Sequence, residues 1–252
     1  MVAVIPARRS ERVQALVAEQ AALRGARAGV VDVCAAAVAA LPVGGAGVSA
    51  MSRGRASHPL CGTDTVSLQL EELQLTLGEG PCVEAFLLGS TVLCPDLLTG
   101  ELPRSWAVFA DAALAAGARA VFAFPLQLGA ISAGVLDLYS GSSVELDAEE
   151  MADAMAFADT ATLLLLDARI DETACADRPD LAPFDDLGGY RAEIDQATGI
   201  LMVQLDVGVE EAFVRLRAHA YAQGARLSAV AADVVAHRLH LAPDAPSPDA
   251  EP

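Results

Sequence analysis

Three short helical patterns follow one another between Tyr190 and Leu241, and they constrain this chain more than any other feature. Ile194, Ala197, Leu201 and Leu205 are spaced by three and four, which puts them on one side of a helix running from about Arg191 to Leu205. Val209, Phe213, Leu216 and Ala220 repeat that spacing. Gly208 precedes them as the expected N-cap, and Glu210 and Glu211 favour the helix dipole in the first turn. Gly224 closes the second helix, and Ser228 is the expected cap of a third, with Val230, Ala231, Val234, Val235 and Leu239 facing inward. Three such stripes, joined by short turns, close a small bundle on one core.

The segment before the bundle reads differently. Asp171 to Gly189 carries six acids together with Pro179, Pro183 and the pair Gly188-Gly189, a composition expected to stay extended as a linker. The tail, 242–252, is proline-rich and acidic and is expected to be disordered. Upstream, helices and strands interleave. Helices are expected at Arg9–Val30, Val31–Ala40, Val66–Leu77, Cys82–Leu88, Ser105–Ala116 and Ala148–Ile170. Strands are expected at Gly47–Met51, Ser57–Thr63 and Thr91–Cys94, followed by a hairpin of Ala120–Leu128 and Ala133–Tyr139 around Gly129. The fold class is therefore an α+β domain, an antiparallel sheet with helices, followed by an all-α three-helix domain. The expected divisions are an N-terminal helix at 1–30, the sheet domain at 31–170, the linker at 171–189, the bundle at 190–241 and the tail at 242–252.

Composition excludes several classes. Hydrophobic residues make up 54% of the chain, enough to build cores. A net charge of −18 repels a phosphate backbone at long range, so any nucleic-acid contact must be local and selective. The longest uncharged run, Val33–Ser52, contains Pro42, Gly44, Gly45 and Gly47, and no membrane span is expected there. Met1–Ile5 is apolar and precedes Arg8, Arg9 and Arg12, the wrong order for an export signal, so a cytoplasmic protein is expected. Cys34, Cys61, Cys82, Cys94 and Cys175 lack CxxC spacing and do not group with the histidines, so no metal and no cofactor are expected.

Two groups of words resemble known families. GTDTVSLQLEELQLTLGEGPC (Gly62–Cys82) and AVFAFPLQLGAISAGVLDLYS (Ala120–Ser140) resemble the GAF half of the GAF–ANTAR regulators common in actinobacteria. YRAEIDQATGILMVQLDVGVEEAFVRLRAHAYAQGARLSAVAADVVAHRL, from Tyr190, resembles the ANTAR domain, a helical RNA-binding unit of bacterial transcription antiterminators. The resemblance implies a homodimeric regulator that binds RNA hairpin loops in a leader transcript and prevents a terminator from forming. It implies that a GAF sensor answers an unknown small-molecule or redox signal. The recognition word it points to is Gln196-Ala197-Thr198-Gly199. Many members carry lysine where Thr198 stands, so one positive charge is replaced by a hydroxyl. Arg217 and Arg226 match the family's basic positions and are the expected phosphate contacts, with Tyr221 expected to stack on an unpaired base and Ser228 beside them.

Two other readings stay open. The bundle segment carries five arginines against six acids, close to neutral, which suits a signalling or scaffold protein whose helices bind protein. A thiol-dependent methionine sulfoxide reductase is the minor alternative, although Asp111–Leu126 holds no cysteine where such a nucleophile is expected. A thiol switch would draw on Cys82 or Cys94. His58 beside Pro59 reads as structural and Trp106 as a core or cleft-edge aromatic. The basic N-terminal helix (Arg8, Arg9, Arg12, Arg24, Arg27) and the acidic linker suggest an electrostatic inhibited state.

Overall fold

The structure is a computed structural model and describes residues 7–51, 58–99, 102–175 and 185–241. The expected tail and the middle of the expected linker, 176–184, lie outside the described residues. The chain divides into two compact units, Met1–Pro183 and Phe184–Pro252.

The first unit is built on a sheet of strands β1 (Gly45–Ala50), β2 (His58–Gly62), β3 (Val92–Cys94), β4 (Ala120–Leu128) and β5 (Ile131–Ser140). Their order is β2-β1-β5-β4-β3, and every neighbouring pair is antiparallel. The long apolar runs in β4 and β5 have a simple cause: both faces of the sheet are covered. Ala120, Phe122, Phe124, Leu126, Leu136 and Leu138 face one core, shared with helices α1 (Ala7–Arg24), α2 (Val30–Ala40) and α6 (Ala148–Cys175). Val121, Ala123, Val135 and Tyr139, the alternate positions, face the other side. Helices α3 (Thr65–Leu77), α4 (Pro81–Leu88) and α5 (Ala107–Ala116) cover it. Trp106 is buried there, edge-on to Phe109 with ring centroids 6.4 Å apart.

Local chemistry sets the helix ends. Asp64 caps α3 by accepting the Ser67 N–H at 2.7 Å, and its other oxygen accepts the Tyr139 hydroxyl at 2.5 Å, which pins the helix to β5. Burial pushes the Asp64 carboxyl up, but these hydrogen bonds outweigh it and hold the group below the ordinary carboxylate value.

Four expectations change. The N-terminal helix stops at Arg24 and not at Val30, and its inward stripe is Val13, Val17 and Ala21, while Leu23 is 77% exposed. Val13 and Val17 belong to the core of the sheet unit, so α1 is packed against its neighbours instead of standing apart from them. Four of the five arginines expected to attract the linker are already matched inside this unit: Arg9 with Glu149 and Asp153, Arg12 with Asp153, Arg24 with Asp32 and Arg27 with Asp167. The linker itself is shorter than expected, because α6 runs on to Cys175 and the next helix begins at Asp185. Extending an existing helix adds one hydrogen bond per residue with no new nucleation cost, which overrides an acidic composition. Pro179 and Pro183 fall in the interval between the two helices.

The second unit contains α7 (Asp185–Leu205), α8 (Val209–Ala222) and α9 (Leu227–Val235). Among the described residues, no helix is long and apolar enough to cross a membrane.

Candidate functional site

The bundle core forms from Ile194, Ala197, Leu201 and Leu205 of α7, Ala212, Leu216 and Ala220 of α8, and Leu227, Val230, Ala231 and Val234 of α9. The α8 face is rotated from the expected one. Val209 is half exposed and Phe213 half-buried, while the small Ala212 takes the inner position where the helices approach closely. Gly208 is the N-cap of α8, as its spacing suggested. The cap of α9 is Arg226 instead of Ser228, which sits half-buried within the first turn.

The recognition word splits between two faces. Gln196 and Gly199 are exposed, whereas Ala197 and Thr198 are buried. The Thr198 hydroxyl donates to the Ile194 carbonyl oxygen at 2.7 Å, so it is spent inside the helix. Successive helix residues are turned by about 100° from each other, so four in a row do not share one face. Gln196, Gly199 and Val203, spaced by three and four, do share a face, and Val203 is 85% exposed. A Cβ added at Gly199 would meet nothing within 4 Å. Close helix packing therefore does not explain this glycine; it leaves a bare strip of backbone on an open surface.

On α8 the Arg217 guanidinium lies 5.6 Å from the Phe213 ring centroid, and burial lowers its pKa from the ordinary value. Tyr221 follows one turn later and is 57% exposed. Arg215 is paired with Glu211 at 3.0 Å and Arg238 with Asp233 at 2.7 Å. Arg226 is exposed and has no ion-pair partner among the described residues.

The sheet unit holds a polar cluster that the sequence did not reveal. Glu71 of α3, Asp137 of β5 and Cys82 of α4 are all buried. The Ser49 hydroxyl donates to Glu71 Oε2. Gln74 donates through Nε2 to Asp137 Oδ2 at 3.4 Å and accepts the Cys82 N–H at 2.7 Å. Room for the cluster comes from two glycines. A Cβ on Gly47 would fall 2.4 Å from Glu71 Oε1, and one on Gly80, at φ +122°, would fall 2.8 Å from Gln74 Oε1. Burial, reinforced by the charge of Asp137, holds the Glu71 carboxyl well above its ordinary value. Burial pushes Asp137 up to about 6 and also raises the Cys82 thiol. The only available signal was a lone acid in an apolar strand, Asp137 in VLDLY.

The thiols fall out differently from expectation. Cys82 and Cys94 are both buried and burial raises both thiols; the Cys34 thiol is raised as well, by its contact with Cys61 and by burial, so what sets Cys34 apart is a neighbouring sulfur and not reactivity. The close pair is Cys34 of α2 and Cys61 of β2, with sulfur atoms 3.1 Å apart; Cys34 is buried and Cys61 half-buried. His58 is buried at the start of β2.

Residues 190–235 match the family model of the ANTAR domain. No curated protein sequence matches the chain. Among solved structures, the chain is similar to the GAF domain of a phosphoenolpyruvate-protein phosphotransferase from Coxiella burnetii, with 13% identity over 65% of this chain and 98% of that one and a TM-score of 0.47. A GAF domain from an Acinetobacter phosphoenolpyruvate-protein phosphotransferase gives 10% identity over 66% and 96%, with a TM-score of 0.46. The type II free methionine-R-sulfoxide reductase from Thermoplasma acidophilum gives 17% identity over 63% and 96%, with a TM-score of 0.40.

Proposed function

We propose that this chain, with an ANTAR domain at residues 190–235, is an RNA-binding transcription antitermination regulator whose sheet unit is a GAF-type sensor. The family match over those residues is the observation that carries the reading. The bundle would bind hairpin loops in a leader transcript and keep a terminator from forming. That is competition between RNA secondary structures, so no residue has to make or break a covalent bond, and the chain would act as a regulator in the cytoplasm and not as an enzyme. Sensing would matter only through different affinities for two arrangements of the protein. Assembly as a homodimer through α1 and α6 belongs to the same reading; Leu23 and Leu163 leave apolar surface exposed on those two helices.

Within the bundle, the exposed face of α7 suits a base or backbone approached over Gly199, with the Gln196 amide reading its edge. Tyr221 offers a stacking surface. Arg226 is the best-placed phosphate partner. Arg217 is half-buried against Phe213 and would act from the rim of the contact. Ala197 and Thr198 contribute by packing, not by touching RNA.

A salt titration of the full chain against a pool of short RNA hairpins tests this. With one or two phosphate contacts, the logarithm of affinity should fall with that of salt at a slope of about −1. Arg226→Glu should weaken binding by about tenfold and flatten the slope. Equal binding to every loop, or none at low salt, would defeat the reading. The 85% exposure of apolar Val203 beside Gly199 favours a second reading, in which the same α7 face docks a protein helix. Under it, Val203→Asp abolishes partner capture while Arg226→Glu leaves it intact.

A further inference from the structure

The buried cluster of the sheet unit has the construction of a metal site. Glu71, Cys82 and Asp137 each bring one ligand atom to within 4.8 Å of the others. From outside the cluster each carboxyl group is held by one oxygen: Ser49 fixes Glu71 Oε2 and Gln74 fixes Asp137 Oδ2. The remaining oxygens, Glu71 Oε1 and Asp137 Oδ1, are buried and receive no hydrogen bond from outside the cluster, so Asp137 faces only the Glu71 carboxyl and the Cys82 thiol there. Gln74 also holds the backbone of Cys82, so one side chain orients two of the three groups. This is the pattern of an outer shell that aims ligands. No arginine or histidine among the described residues is paired with either carboxyl group. Two carboxyl groups and a thiol packed together out of water need protons or a cation between them.

We propose that Glu71, Cys82 and Asp137 bind one divalent first-row transition metal ion, zinc or ferrous iron. A thiolate disfavours magnesium and calcium, which take oxygen ligands, and the two carboxylates disfavour purely soft ions. Metal–sulfur and metal–oxygen bonds of about 2.3 and 2.1 Å place ligand atoms roughly 3.5 Å apart, so the cluster closes by about 1 Å on binding. The Met51 thioether, with its sulfur 3.6 Å from Cys82 Sγ, or a water molecule completes four-coordination. Charge balances as well. The thiol proton and the proton shared by the two carboxyl groups leave to solvent, and the ion replaces them. The site stands whether or not the helical bundle binds RNA.

The test uses the full chain, stripped with a chelator and titrated with Co²⁺ as a spectroscopic probe. One equivalent should produce a thiolate-to-cobalt charge-transfer band together with visible d–d bands, and Zn²⁺ should displace it. Cys82→Ser should abolish the charge-transfer band. Glu71→Gln and Asp137→Asn, which keep side-chain shape, should each weaken cobalt binding by about tenfold or more. Both should melt at or above the temperature of stripped wild type and lose the rise in Tm that zinc gives it. Elemental analysis of protein purified without chelator separates iron from zinc. Absence of a thiolate band in folded wild type, or uptake unchanged in Glu71→Gln and Cys82→Ser, overturns the proposal, the second outcome because exposed acids would then be the binders.

Discussion

The two units solve opposite problems. The sheet unit buries ionisable groups: Glu71, Asp137 and three thiols lie inside a core covered on both faces. Among its described residues the helical bundle keeps a mostly apolar centre: the Thr198 hydroxyl is satisfied by its own helix, the half-buried Gln204 turns one oxygen inward without a partner, and the bundle carries no cysteine. Its polar and aromatic features are outside, on Gln196, Tyr221 and Arg226. Buried polar groups are costly unless something satisfies them, so a core that retains them is built around an occupant or a chemical event. A bundle with a plain core and a patterned surface is built to present that surface. Under the proposed function, input chemistry would lie in an interior and output recognition on an exterior.

The largest effect that could break this contrast comes from the bundle core. Leu216→Ala should cost about 3 kcal/mol, the usual penalty for such a buried leucine, and should melt the bundle while the sheet unit stays folded. Two separate unfolding transitions by circular dichroism would show it; a single transition lowered as a whole would mean that the units fold as one.

Oxidation should strike only the sheet unit. Diamide treatment should join Cys34 to Cys61, seen as a loss of 2 Da by mass spectrometry with the crosslinked peptides identified. A bridge closing a loop of that length is worth roughly 3.5 kcal/mol in the chain-entropy account. The mass change should vanish in Cys34→Ser. A bridge to Cys82 or Cys94 instead would mean that sulfur proximity does not decide which thiols oxidise.

Asp64→Ala removes a helix cap and the partner of Tyr139, and should cost about 1–2 kcal/mol. Its pH signature follows from its depressed pKa. The contribution is complete above the unfolded value of about 4 and is lost as pH falls through the lower folded value. Wild type and variant should therefore converge in stability on acidification, measured by urea unfolding between neutral and strongly acid pH. A gap that stays constant to low pH would remove the charge from the explanation.

The smallest effect sharpens the comparison most. Gly199→Ala enters open space on a helix and should stabilise the bundle by about 0.5–1 kcal/mol. If α7 meets RNA there, the same methyl should weaken hairpin binding. A variant both more stable and equally tight in binding would move the contact face elsewhere.

Much of the architecture was legible from periodicity. The β4 strand has the expected bounds, and α3, α4 and β5 differ from expectation by one or two residues at either end. The α7 stripe of Ile194, Ala197, Leu201 and Leu205 is buried as its spacing indicated. Less was legible where a residue's meaning depends on rotation about a helix. Thr198 is adjacent to Gly199 in sequence and yet faces the opposite environment, and Val209 yields the inner face to Ala212.

The sequence by itself determined the order of elements, the division between a sheet unit and a helical unit, and the stripes that close each core. These follow from local propensity and repeat spacing, which any short window of the chain contains. Only the tertiary structure decided that Glu71 meets Asp137, that Cys34 touches Cys61, and that Thr198 joins Ala197 on the buried side. Those facts depend on contacts between residues far apart in the chain and on the angle at which each helix settles. Both are set by packing of the whole unit and by no local signal.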